Sequence, residues 1–293
     1  MADQQLLIGG EWVDARSARE YEQRFPFTGE VVGTAAAAGP EDANAAADAA
    51  RAAFASWSRS QPGERRMILL KAADLLSERA ERIAGIVTEE TGGVFGWGMF
   101  NVQLAAGMLR EAAAQAYGLV GEVIPSDVPG KLAMGVRQPA GVVVAIAPWN
   151  APVILATRSV ATPIAYANTV VLKASEICPR THAEVARALV DAGLPPGVIN
   201  LITNDPAQAG AVVDALIEHP AGRARARPAD RERHLPRQRH HRAGRASDAV
   251  RRRQGQRLGP LRRARSARGV HRAALDHRSG AAARVPDLMC APR

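Results

Sequence analysis

Residues 141–150 read G-V-V-V-A-I-A-P-W-N, an apolar run that stops at a proline. It is far too short to cross a bilayer and suits a strand buried on both faces, as in a parallel sheet. Pro148 cannot continue the ladder, so the strand ends there in a sharp turn. Outward from this point a period repeats. The strand at 141–147 leads to a helix at about 152–166, then a strand at 169–172. A helix at 179–192, a strand at 198–203 and a helix at 206–218 follow. Both-faced apolar strands alternating with amphipathic helices imply an α/β fold, a Rossmann-like parallel sheet with right-handed crossovers and helices on both faces. The rhythm stops after three strands. The sheet is therefore expected to be incomplete, with an unpaired edge and a bare packing face.

Upstream, residues 6–34 read as short strands and turns. Acids at Glu41 and Asp42 open an Ala-rich helix that runs to Trp57. Pro62-Gly63-Glu64 opens a second run, in which Met67, Leu70, Ala73, Leu76, Ile83 and Val87 recur at helical spacing. A third helix is expected over 100–117, and a short strand over 134–136.

Open α/β sheets bind ligands beyond the carboxyl ends of their strands. At the first such end Trp149 offers a flat wall and Asn150 a side-chain N–H donor. A donor of that kind suits a developing oxyanion, where losing one typically costs about 10²–10³ in rate. The other reading of Asn150 is a cap for the helix beginning near Pro152. The next strand ends V-V-L-K-A-S-E at 170–176, which sends Lys173 and Glu176 out at the same edge. A carboxylate there can accept both hydroxyls of an adenosine ribose, with a lysine bonding them from the side. It would repel a 2′-phosphate, which favours NAD over NADP. The alternative is a solvated Lys–Glu pair near a helix start, worth at most about 1 kcal/mol.

These two strand ends, with Asn150 and Lys173 23 residues apart, resemble the aldehyde dehydrogenase superfamily. G-L-P-P-G-V-I-N at 193–200 is similar to the next signature of that family, and the similarity runs from I-G-G-E-W at 8–12 to about Pro220. The stretch M-G-V-R-Q-P-A-G-V-V-V-A-I-A-P-W-N-A-P-V-I-L at 134–155 most resembles the branch that oxidises aromatic aldehydes, the vanillin and salicylaldehyde dehydrogenases. The resemblance implies Asn150 as the oxyanion-binding catalytic residue. It implies Ile146, Ala147, Pro148, Trp149, Lys173, Ser175 and Glu176 as cofactor-binding positions. It further implies an NAD-binding domain over 1–120 and 141–220, and a small β-ribbon at 121–140 that pairs subunits in a homo-oligomer. In the family a Cys thiolate attacks the aldehyde, Asn and the Cys backbone N–H hold the oxyanion, hydride passes to the nicotinamide, and a Glu activates water on the thioester. The helix around 95–109, with Phe95, Trp97 and Phe100, either contributes an aromatic wall to the aldehyde site or belongs to the core.

The resemblance then breaks. After His219-Pro220 there is no F-T-G-S-type loop, no E-L-G-G-K-type general-base segment and no G-Q-x-C-type nucleophile segment. Cys178 precedes a helix and reads as a small buried residue, Cys290 has no visible scaffold, and neither is expected to act as nucleophile. His240-His241 lack partners at ligand spacing, so no metal site is expected. The charge changes at the same place. Residues 1–220 hold 17 Lys and Arg against 24 Asp and Glu, a net of −7. Residues 221–293 hold 21 Arg and no Lys against 5 acids, a net of +16, which makes the +9 of the whole.

That second stretch contains no Ile, Phe, Tyr, Trp, Asn or Thr and has no recognisable fold. Three readings compete: a basic arm for nucleic acid, a disordered solvated linker, or GC-rich codons read out of frame. The abrupt onset favours the last, a frameshift that leaves the family sequence truncated. The absence of aromatic residues to stack on bases argues against a nucleic-acid partner. The start shows no basic n-region or long apolar stretch, so no leader and a cytoplasmic location are expected, with no membrane contact. The expectation is a chain descended from an NAD-dependent oxidoreductase that acts on aromatic aldehydes but lacks aldehyde oxidation itself. The alternatives are a non-catalytic nucleotide-binding fragment and a nucleic-acid binder.

Overall fold

The apolar run at 141–147 forms a strand, and the alternation read from it is present throughout the following eighty or so residues. The computed structural model describes residues 2–221; Cys290, His240, His241 and the rest of the arginine-rich stretch lie outside the described residues. The chain opens with β1 (Leu6–Ile8) and β2 (Glu11–Val13), then a hairpin of β3 (Glu20–Arg24) and β4 (Val31–Ala36). Four helices follow: α1 (Pro40–Trp57), α2 (Pro62–Glu78), α3 (Ala80–Thr91) and α4 (Phe95–Gln115). A ribbon pairs β5 (Glu122–Ile124) antiparallel with β6 (Ala133–Gly135). The alternating part is β7 (Val142–Ile146), α5 (Pro152–Ala165), β8 (Thr169–Lys173), α6 (Pro179–Asp191), β9 (Ile199–Ile202) and α7 (Ala209–Glu218).

The main sheet has the order β2-β1-β9-β8-β7. Strands β7, β8 and β9 are parallel, and β1 joins β9 antiparallel. The expected three parallel strands are present, and the N-terminal hairpin closes the β9 side, giving five strands with β2 and β7 at the edges. Local pattern could not reveal this closure. It depends on the Leu7↔Leu201 pairing and on the Gly9 N–H donating to Asn200 Oδ1 at 2.9 Å, 191 residues along the chain.

Side chains of period two divide the core between two faces. Val170 and Leu172 of β8 and Leu201 of β9 join the larger cluster under α2, α4, α5 and α6. Val171, Ile202 and Leu6 join the smaller cluster under α1 and α7. Leu69, Leu76, Leu109 and Ile164 are fully buried on the larger face, each stabilising by about 2 kcal/mol in removed apolar surface.

Prolines start α1, α2, α5 and α6, where the missing N–H has no partner to lose. The single helix expected after Pro62 is two helices, because Arg79 leaves helical geometry at φ −96°, ψ 10°. Its buried face is also shifted from the expected one. Met67 is exposed, whereas Ile68, Leu69, Ala72, Ala73 and Leu76 face the core. Four consecutive apolar residues, Met67 to Leu70, leave that phase open to a reader of the sequence. The third helix begins at Phe95 instead of Phe100, its glycine-rich first turn being tolerated because Gly98 packs directly on Ala84.

Candidate functional site

Parallel pairing sets Ile146 beside Lys173, so β7 and β8 end together at one edge of the sheet. The Ala147 N–H extends this pairing by donating to the Lys173 carbonyl at 3.2 Å. The chain then turns away through Pro148, Trp149 and Asn150, all exposed. Ile146 and Trp149 present apolar surface at 54% and 50% exposure, a flat wall open to solvent. The capping alternative for Asn150 is not realised: Ala151 is the N-cap of α5, with no side-chain cap bond. Among the described residues the Asn150 amide makes no hydrogen bond, so its donors remain available to a ligand.

At the end of β8, Lys173 is buried and its Nζ donates to Glu176 Oε2 at 3.0 Å. The Glu176 side chain is 33% exposed, so one end of the pair faces solvent. Partial burial works against the Glu176 carboxylate. Its own backbone N–H, the bond from Lys173 and the charge of that ammonium outweigh this and hold its carboxyl below the usual range. The pair thus differs from a fully solvated one. It presents an ionised acceptor, partly open to solvent and braced by a buried cation.

The turn after β8 is braced from several directions. The Ser175 N–H donates to His182 Nδ1 at 3.1 Å, and Ser175 Oγ accepts from the Ile177 N–H at 3.3 Å. Gln23 of β3 donates from Nε2 to the Glu176 carbonyl at 3.0 Å. Neither His182 nor Gln23 stands out in the sequence. The signal for His182 is its place in the first turn of the helix that follows the strand end; Gln23, 153 residues away, gives none.

Cys178 is fully buried, 3.6 Å from His182 Nε2, and burial pushes its thiol up, which disfavours the thiolate a nucleophile needs. Among the described residues no group of three His, Cys, Asp or Glu is placed to hold a metal ion. No helix of the described residues is long and apolar enough to cross a membrane. Phe95, Trp97 and Phe100 are all partly exposed, which removes the core alternative for them. Trp97 and Phe100 stack with ring centroids 5.5 Å apart, and α4 packs on α5, the helix that follows Asn150.

Residues 12–224 match the aldehyde dehydrogenase family. Over 218 residues the chain is 56% identical to a vanillin dehydrogenase of Pseudomonas sp. (strain HR199 / DSM 7063), covering 74% of this chain and 45% of that protein. Its fold matches a crystal structure of a salicylaldehyde dehydrogenase from Pseudomonas putida G7 complexed with salicylaldehyde, at 38% identity and a TM-score of 0.73. That match covers 74% of this chain and 45% of the other. An E. coli NADP-dependent enzyme matches at 32% identity and a TM-score of 0.72, over 74% of this chain and 45% of that one. The chain thus spans about half the length of the relatives it matches. With a Rossmann-like sheet, paired strand ends and a family match over most of its length, the chain belongs to the aldehyde dehydrogenase family.

Proposed function

We propose that residues 2–221 form the nicotinamide-dinucleotide-binding part of an aromatic-aldehyde dehydrogenase, and that this chain binds NAD without oxidising aldehyde. The observation that carries the reading is the Lys173–Glu176 pair at the end of β8, set beside the β7 end that leads to Asn150. Glu176 accepts the adenosine-ribose hydroxyls and Lys173 donates to them. Ile146 to Trp149 form the apolar floor beside the pair, and Ser175 shapes the turn. An ionised Glu176 repels a 2′-phosphate, so NAD is favoured over NADP even though an NADP-dependent relative shares the fold. Bound NAD would supply a hydride acceptor. Asn150 would then hold the oxygen of an aromatic aldehyde, with the Trp97–Phe100 stack as an aromatic wall. The described residues offer no accessible thiol, since Cys178 is buried, and this is why turnover is not expected. The ribbon, with Val123, Ile124 and Met134 exposed, fits a subunit-pairing role.

The test is calorimetric titration of the full 293-residue chain with NAD and NADP, with an NADH absorbance assay on vanillin, salicylaldehyde and benzaldehyde. NAD should bind more tightly than NADP. Glu176→Ala should weaken NAD about tenfold, as expected for lost bonds to a charged group, and should abolish the preference. Equal affinities, or an unaffected Glu176→Ala variant, would remove the site; NADH formation would remove the claim of inactivity.

A further inference from the structure

Gln23 is out of character for its strand. Its neighbours Glu22 and Arg24 are open to solvent, yet Gln23 is only 4% exposed. The register of the hairpin shifts between Gln23 and Arg24, the kind of irregularity that re-aims a side chain beside a functional site. Here the side chain reaches the turn after β8, where Nε2 donates to the Glu176 carbonyl at 3.0 Å. A carbonyl can only accept, so the amide must present its nitrogen there. The base of the same hairpin is tied to the end of β9. The Ala38 N–H donates to the Thr203 carbonyl at 2.9 Å, and Thr203 Oγ1 donates to the Ala36 carbonyl at 2.6 Å. The hairpin is therefore anchored beside β9 before it meets the turn that follows β8.

We propose that Gln23 is a positioning residue for Glu176, through which the N-terminal hairpin sets the carboxylate that receives the nucleotide ribose. Its functional consequence rests on the nucleotide-site reading above. Three backbone groups of the turn have partners: the Ser175 N–H, the Ile177 N–H and the Glu176 carbonyl. The first two are held from within seven residues, whereas the carbonyl is held from 153 residues away. Lys173 meanwhile bonds the Glu176 carboxylate at 3.0 Å. With its backbone and its side chain each bonded, Glu176 meets a ligand with the carboxylate already placed, which lowers the ordering cost of binding. Methionine matches glutamine in length and has no donor, so Gln23→Met removes the bond and keeps the bulk.

The test uses the full chain and titrates NAD and NADP into wild type, Gln23→Met, Glu176→Ala and the double variant. Loss of one such bond should weaken NAD about fivefold in Gln23→Met. NADP, which gains nothing from Glu176, should change less, so the preference for NAD narrows. A general loss of stability would weaken both nucleotides alike. In the Glu176→Ala background Gln23→Met should have no further effect on NAD, because it acts through Glu176. Equal losses for the two nucleotides, an unaffected Gln23→Met, or the same loss with and without Glu176 overturns the proposal.

The bond is also read without nucleotide. In Gln23→Met the carbonyl-carbon resonance of Glu176 should shift and amide exchange at Ile177 should rise, while exchange at Leu201 in β9 stays unchanged. Should Gln23→Met fail to fold, scalar coupling between the Gln23 side-chain nitrogen and the Glu176 carbonyl carbon in the wild type decides: its presence supports the proposal and its absence overturns it. A wild type that binds no NAD overturns the nucleotide reading together with the role that rests on it. A wild type that binds NAD but lacks these signals overturns the role of Gln23 alone.

Discussion

The backbone N–H and the hydroxyl of Thr181 donate to the same oxygen, Oε2 of Glu90, at 2.9 and 2.6 Å. Oε1 of the same carboxyl accepts the Arg180 N–H at 2.9 Å. Glu90, near the end of α3, thus caps the first turn of α6 from another helix, a task usually performed by a residue adjacent in the chain. Glu90→Ala should lower the unfolding free energy by about 2–4 kcal/mol, since it leaves buried donors without a partner. Urea denaturation measures this, and a loss under about 1 kcal/mol would mean water replaces the cap.

Two buried groups in this region tilt stability in opposite directions with pH. Burial pushes the Glu90 carboxyl up to about 7 from an ordinary 4.5, against the bonds from Thr181 and the charge of Arg180. Between those values the unfolded chain has lost a proton that the folded chain keeps, so stability falls as pH rises. His182 is pulled down to about 3 from 6.5. Between those values the unfolded chain holds a proton that the folded chain lacks, so stability falls as pH drops. Each slope is about 1.4 kcal/mol per pH unit, and they oppose each other from 4.5 to 6.5. Relative to wild type, Glu90→Gln should gain stability with rising pH across that window and His182→Asn should lose it. A pH series of denaturation curves reads the two signs directly; matching signs would refute the assignment.

Two glycines of α4 should respond oppositely to alanine. A Cβ on Gly98 would lie 2.7 Å from Ala84 Cα and 2.9 Å from its carbonyl oxygen, so α3 would have to move away. Gly98→Ala should destabilise by about 1–3 kcal/mol. A Cβ on Gly107 meets nothing within 4 Å, and Gly107→Ala should stabilise by up to about 1 kcal/mol through helix propensity. Melting temperatures of the two variants should move in opposite directions.

Asn200 holds the closed side of the sheet. Its Oδ1 accepts from the Gly9 N–H and its Nδ2 donates to the Gly197 carbonyl, both at 2.9 Å. Asn200→Leu should cost about 2–4 kcal/mol, and the earliest amides to exchange should be those of β1. Unchanged protection of Leu7 in this variant would show that the pairing of β1 does not depend on the amide.

The strand ends at Ile146 and Lys173 were legible because proline and charge interrupt apolar runs, a local signal. Helix starts at Pro40, Pro62, Pro152 and Pro179 were legible for the same reason. Contacts distant in sequence were not. The closure of β9 by β1, the Gln23 bond to Glu176 and the Glu90 cap each join residues whose local pattern carries no trace of the partner. The division at Arg79 was also invisible, because apolar spacing continues on either side of it and one non-helical residue leaves no compositional mark. Asn150 illustrates the middle case. Sequence left both a cap and a ligand donor open, and only the cap at Ala151 separates them.

The exposed rim of β7 gives the sheet a direction of growth. Its far side ends in an antiparallel hairpin whose outer strand is the three-residue β2, so among the described residues the parallel part of the sheet can be extended only alongside Val142–Ile146. That rim belongs to the strand leading into Asn150. Any segment that docked there would stiffen the very strand whose end presents the amide. Completing the architecture and organising the chemistry would then be a single event.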